Sequence, residues 1–158
     1  MIYSFNVHII FQMHSLTAVL LAVISLSASC YGKIYTKCAL AKELKCVYGF
    51  EQSSLGDWVC LVQHESSFNT AAVGQNKGSK DYGLFQINDY YWCSSAGKGI
   101  NYCNINCDKL KDNDIADDVK CAKRVYSRHR FYAWNGWKDN CQGKDLSSYI
   151  SGCNLSCY

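Results

Sequence analysis

"LGDWVCLVQHESSFNTAAVGQNKGSKDYGLFQIN", residues 55–88, changes character in its middle. LGDWVCLVQHES (55–66) is apolar on most of its turns, as in a helix buried over much of its surface. From 72 to 90, Gly, Asn, Ser and Lys surround DYGLFQI, which predicts a small hairpin-based sheet. One carboxylate stands on each side of the change. Glu65 follows the apolar run WVCLVQH, and Asp81 opens DYGLFQI behind a Gly/Ser/Lys turn.

Outward from this stretch the helical signal returns. CALAKELKCV (38–47) has apolar residues at helical spacing, with Cys38, Ala41 and Lys45 stepping up one face. IADDVKCAKRVYSRH (115–129) carries Ile115, Val119, Ala122, Val125 and Tyr126 on one stripe. Helices, then a short sheet, then helices predict an α+β domain of two lobes. A cleft between such lobes is the expected binding site.

The chain has 158 residues, which suits one domain. With 49% hydrophobic and 18% charged residues it has the composition of a folded protein, which excludes a disordered one. Residues 1–32 hold no Asp, Glu, Lys or Arg, and LTAVLLAVISL (16–26) is followed by the small residues of SASCYG (27–32). This reads as a secretory signal peptide, the apolar run being too short to span a bilayer. No Lys or Arg precedes it, and a start at Met13 would give a leader of ordinary length. Cleavage is expected before Lys33, leaving 33–158 as the secreted domain with no membrane anchor.

Cysteines 38, 46, 60, 93, 103, 107, 121, 141, 153 and 157 remain in that domain. An even number in a small secreted chain implies disulfides, but about 945 pairings of ten cysteines exist and spacing cannot choose among them. Zinc at Cys103 and Cys107 is the rival reading, weakened because only His64 and His129 survive in the domain and no CxxC pair exists. A formal charge of +3 suits attraction to anionic surfaces such as bacterial walls. No nucleic-acid partner is expected, and a monomer is.

Glycosidic bond cleavage needs a proton donor for the leaving oxygen and a second carboxylate for the sugar cation. The donor must stay protonated, so it belongs in apolar surroundings. Glu65 suits that role, with Val59, Leu61 and Val62 upstream and Trp134 available to cover it. Asp81 suits the other, amid Asn76, Ser79 and Asn88, which can hydrogen-bond the ionised form. Taken alone, a single Glu and a single Asp are more often solvated surface groups.

The order of KIYTKCALA (33–41), SLGDWVCLVQHESSFNT (54–70), DYGLFQIN (81–88), YWC (91–93), NYCNINC (101–107), CAKRV (121–125), AWNGWKDNC (133–141) and YISGCNL (149–155) resembles the C-type lysozymes, their insect branch in particular. The resemblance implies a lysozyme-like, disulfide-stapled fold and retaining hydrolysis of the β-1,4 bond between N-acetylmuramic acid and N-acetylglucosamine in bacterial peptidoglycan. It implies Glu65 as general acid and Asp81 as nucleophile or electrostatic stabiliser. Asn76 and Asn88 would orient Asp81, and Gln86, Tyr91, Trp92, Ala133 and Trp134 would line the sugar subsites. Trp137 is read as core. Residues 127–132 receive no subsite role.

By the same resemblance, Cys38 pairs with Cys153, Cys60 with Cys141, Cys93 with Cys107 and Cys103 with Cys121. Cys46 lies two helical turns beyond Cys38 and Cys157 lies four residues beyond Cys153, so a fifth bridge between them would run beside the first.

CDKLKDNDIADDVKC (107–121) holds five aspartates between 108 and 118, which repel unless a cation or helix N-terminus offsets them. Its spacing resembles the calcium loop of α-lactalbumin and the calcium-binding lysozymes. That register assigns side chains of Asp112, Asp117 and Asp118 and carbonyls of Lys109 and Asp114 to a structural Ca2+. An acidic helix start in a solvated loop is the plainer alternative. Catalysis itself calls for no cofactor. Two non-enzymatic readings stand beside the enzyme. An α-lactalbumin-like calcium- or saccharide-binding protein is opposed by the presence of both Glu65 and Asp81. A cationic membrane-disrupting protein is opposed by the modest charge.

Overall fold

Helix α1 (Lys37–Cys46) starts where the Thr36 hydroxyl accepts the Ala39 N–H at 3.2 Å, a side-chain cap for an otherwise free donor. A computed structural model describes residues 32–158, and these form a unit of their own. The leader expected over 1–32 lies outside them, Gly32 excepted. The inward face of α1 is Leu40, Ala41 and Leu44, not the expected stripe of Cys38, Ala41 and Lys45. Cys38 is only half-buried because its bridge to Cys153 draws it to the edge, and Lys45 carries its ammonium to the Leu155 carbonyl at 3.0 Å. Long charged side chains reach water or a carbonyl this way without entering a core.

Helix α2 (Leu55–Ser66) is the central element. Leu55, Trp58, Val59, Cys60, Leu61 and Val62 are all buried, so it is covered on most sides as its composition predicts. Gly56 permits a close approach, since a Cβ there would stand 3.1 Å from Leu146. Trp58 is the hub of the core. Five rings meet it edge-on or tilted, those of Phe50, Phe85, Tyr126, Phe131 and Trp134, with centroids 4.8–5.9 Å away. Such pairs add to area burial, about 0.5–1.5 kcal/mol each.

The predicted hairpin sheet follows as β1 (Val73–Asn76), β2 (Ser79–Tyr82) and β3 (Ile87–Asn88), all antiparallel in that order. Asn76 faces Ser79 across the tight turn, where Gly78 takes φ +88°, a conformation that favours glycine. Register sets Asp81 opposite Gly74 on one side and Asn88 on the other. A loop stapled by Cys93–Cys107 and Cys103–Cys121 leads to α3 (Ala116–His129), whose Val119, Ala122 and Val125 are buried as expected. The short helix α4 (Asn135–Asn140) packs on α2.

All five disulfides are formed, including Cys46–Cys157 beside Cys38–Cys153. Cys103 and Cys107 both lie in bridges, which leaves no thiolate for zinc. The fold is α+β with helices on one side of a small sheet. Among the described residues no helix is long and apolar enough to cross a membrane.

Candidate active site

Between the sheet and the helices lies an open cleft of about 300 Å³. Glu65 from the last turn of α2 and Asp81 from β2 both line it. The expected subsite residues Asn76, Gln86, Asn88, Tyr91, Trp92, Ala133 and Trp134 line it too. A wider hollow of about 590 Å³ lies elsewhere, bordered by Gly78, Lys80, Tyr82 and Lys98. Its one carboxylate, Asp89, already accepts the Lys80 N–H at 2.9 Å, so chemistry selects the smaller cleft.

The two carboxylates occupy contrasting environments. Glu65 is half-buried, and desolvation pushes its carboxyl above the ordinary glutamate value. The Gly136 N–H donates to its Oε1 at 2.8 Å and partly offsets that rise, while the charges of Asp81 and Asp139 add to it. Gly136 sits in the first turn of α4, where backbone N–H groups have no helical partner and are free to donate. Any side chain there would crowd the acid, a Cβ standing 2.8 Å from Oε1. The sequence reading missed Gly136. Its only signal is a glycine inside a helix between two tryptophans.

Asp81 is held from both sides. Asn76 donates through Nδ2 to its Oδ2 and Asn88 through Nδ2 to its Oδ1, each at 2.6 Å. Two short amide donors, one on each oxygen, fix the plane of this carboxyl group. Pairing of β1, β2 and β3 makes this possible, because it sets Asn88 directly opposite Asp81 and Asn76 diagonally across, two residues along β1 from the Gly74 that faces Asp81. Ser79 does not touch Asp81; its hydroxyl accepts from Asn88 at 3.0 Å and so steadies the orienting amide.

Gln86, at φ +47°, commits its amide Nε2 to the carbonyls of Gly83 (2.9 Å) and Ala72 (3.2 Å). Only its Oε1 remains for a ligand. Trp134 is buried with Nε1 on the Phe85 carbonyl at 2.8 Å, so it forms a fixed wall. Tyr91 is 49% exposed, whereas Trp92 is nearly covered, so Tyr91 offers the larger open ring face. Trp137 belongs to the core, stacked on Phe131 with its Nε1 on Asp57 at 2.8 Å.

The acidic loop separates into unlike members. Asp112 accepts the Asp114 N–H and Asp114 accepts the Ala116 N–H, ordinary turn contacts at an exposed helix start. Asp118 is buried, and neither of its oxygens has a hydrogen-bond partner. Burial raises its carboxyl to about 8; the nearby N–H groups of Leu84 and of Asp118 itself offset this only in part, and the charges of Asp112 and Asp117 add to it. A Cβ on Gly83 would collide with the Leu110 carbonyl and stand 2.6 Å from Asp118 Oδ1, so glycine lets both oxygens pack against the backbone there. An orphaned, buried carboxylate with the like charges of Asp112 and Asp117 nearby is suited to a cation at Asp118, the one member of the expected set Lys109, Asp112, Asp114, Asp117 and Asp118 that is buried without a partner. Cys60, His64 and Cys141 also converge, but Cys60 and Cys141 are bonded to each other, which removes both thiolate ligands.

The family model for the C-type lysozyme/alpha-lactalbumin family matches residues 33–153. Lysozyme c-1 of Anopheles gambiae is 51% identical over 138 residues, covering 87% of this chain and 96% of that protein. The lysozyme of Bombyx mori is 48% identical, covering 82% and 96%. Among solved structures, canine milk lysozyme stabilised against non-enzymatic deamidation superposes with a TM-score of 0.73 at 46% identity, covering 78% of this chain and all of that one. This chain therefore belongs to the C-type lysozyme/alpha-lactalbumin family.

Proposed function

We propose that this protein is a bacteriolytic lysozyme, a retaining glycosidase that cleaves the β-1,4 bond from N-acetylmuramic acid to N-acetylglucosamine in peptidoglycan. The observation that carries the reading is the pair of carboxylates on one cleft, one desolvated and the other held by two amides. Glu65 gives its proton to the leaving oxygen as the glycosidic bond breaks, and Asp81 takes or steadies the anomeric carbon from the opposite side. Glu65, now a carboxylate, removes a proton from the incoming water, whose oxygen bonds to the anomeric carbon and frees Asp81. Burial favours the first step, because it raises the Glu65 carboxyl above its ordinary value and so enlarges the protonated fraction at a given pH. Asn76 and Asn88 hold Asp81 aimed, Tyr91 offers an open ring face to a sugar, and Trp92 and Trp134 wall the cleft.

Calcium would be structural in this reading. Lys109, Asp112, Asp114, Asp117 and Asp118 would hold it, and when bound it supplies positive charge to a loop that otherwise buries an unpaired acid. Secretion is supported by the five disulfides, which need an oxidising compartment; removal of residues 1–32 and a monomeric mature form belong to the same proposal. The Lys33 nitrogen already meets Asn113 Oδ1 at 2.7 Å and Thr70 Oγ1 at 2.9 Å, partners that a freed α-ammonium would keep. Nothing in the site favours the non-catalytic alternative. Digestion of purified bacterial wall, followed by borohydride labelling of the new reducing ends, tests the function. Labelled muramic acid ends are expected; glucosamine ends alone, or none, overturn the proposal.

A further inference from the structure

Arg128, in the last turn of α3, stands three residues beyond Val125, which lines the cleft, and so on the same helix face. Its guanidinium carbon lies 4.4 Å from the ring centre of Tyr102 and 5.9 Å from that of Trp92, a cleft-wall residue. The platform beneath it is fixed. The Tyr102 carbonyl accepts from Arg124, its N–H donates to the Tyr91 carbonyl at 2.9 Å, and the adjoining Cys103 is bonded to Cys121 on α3. Arg128 itself is exposed, and among the described residues no carboxylate pairs with it.

We propose that Arg128 is a specificity-determining residue that recognises a carboxylate on the glycan at this rim of the cleft, a contact that rests on the glycosidase reading. A guanidinium lying on a ring keeps its in-plane N–H groups free, and those groups match a carboxylate in a two-pronged fashion. Wall glycan offers such a group in the lactate ether of its muramic acid or in the peptides attached there. A neutral N-acetylglucosamine polymer offers none. The cation therefore favours wall strands over chitin-like ones at a point separate from the reacting bond, and it acts on binding of bound substrate and transition state alike.

Titrations of tryptophan fluorescence test this, in a Glu65→Gln background so that the saccharide survives. The probes are an N-acetylglucosamine tetrasaccharide, an alternating glucosamine–muramic acid tetrasaccharide with free lactyl carboxylates, and the same strand with its peptides attached. Arg128→Gln is expected to weaken at least one anionic probe by roughly three- to tenfold more than the neutral one. The gap should close near 0.5 M salt, and Arg128→Lys should recover part of it. The probe that loses most identifies the carboxylate. Equal change on neutral and anionic probes, or no change on any, overturns the assignment. If neither protein binds any saccharide, the glycosidase reading falls, and this one with it.

Discussion

Gly136→Ala separates the geometry of the acid from the stability of the fold. Gly136 donates to Glu65 Oε1 at 2.8 Å, and a methyl on its α-carbon would stand 2.8 Å from that oxygen and 3.1 Å from the carboxyl carbon. That is roughly 0.6 Å inside ordinary van der Waals contact, so the carboxyl must retreat. The backbone at 136 has no positive φ, and alanine in a helix gains about 1 kcal/mol over glycine. Crowding of a packed position takes back about 1–3 kcal/mol, so net stability should change by less than about 2 kcal/mol. Turnover should suffer more. Misplacing a catalytic group by a sizeable fraction of an ångström costs on the order of ten- to a hundredfold in kcat. The pH profile carries the second signature. The Gly136 N–H favours the ionised form, so weakening it raises the Glu65 value further and moves the alkaline limb of the rate profile to higher pH. Steady-state kinetics on a soluble wall oligosaccharide across pH, with calorimetry on the same samples, reads both. Wild-type kcat with an unmoved alkaline limb in a folded Gly136→Ala protein would refute the reasoning.

Three further outcomes follow from other contacts. Asn88→Ala removes one of the two amides on Asp81 and should lower kcat/KM about tenfold in steady-state assays, with little change in unfolding midpoint. Chelation at low ionic strength should lower the thermal midpoint, since a site holding calcium at a hundred times its Kd adds about 3 kcal/mol; Asp118→Asn should abolish that dependence, and an unchanged midpoint in the parent would remove calcium from the account. Replacing Cys46 and Cys157 by serine should lower stability by about 3 kcal/mol in denaturant titrations and leave activity intact. With Cys38–Cys153 already closed, the second bridge constrains only a short additional loop, so the larger loss its separation of 111 residues suggests (about 5 kcal/mol) would count against parallel stapling.

Glu65 and Asp81 stood out only through the resemblance to the C-type lysozymes, since each alone reads as a solvated carboxylate; the structure sets both on one cleft. The helix over 55–66 and the hairpin sheet were legible because strong local patterns, an apolar run and glycine turns, mark them. What escaped was set by tertiary contact. Gly136 meets Glu65 across 71 residues, and no local pattern marks it. Asp118 looks like its neighbours in the acidic run; only the packing of α3 against the loop after β2 sinks it and leaves Asp112 and Asp117 in water. In α1 the periodicity admitted two adjacent faces, and the choice of Leu40 and Leu44 over Cys38 and Lys45 was made by the tail that the two bridges hold against it. Gln86 was read as a sugar contact alone, though a left-handed backbone turns its amide onto the Gly83 and Ala72 carbonyls.

The most direct test is wall lysis by Glu65→Gln, measured beside its unfolding midpoint from pH 4 to 8. A general acid contributes about 10²- to 10⁴-fold, so lysis should fall by at least that range's lower bound. An acid raised in the fold loses stability as pH rises from its unfolded value through its folded one, and glutamine has no such charge to bury. The variant should therefore match the parent at acid pH and be no less stable at neutral pH. Wall lysis near the parent rate by folded Glu65→Gln would contradict the account.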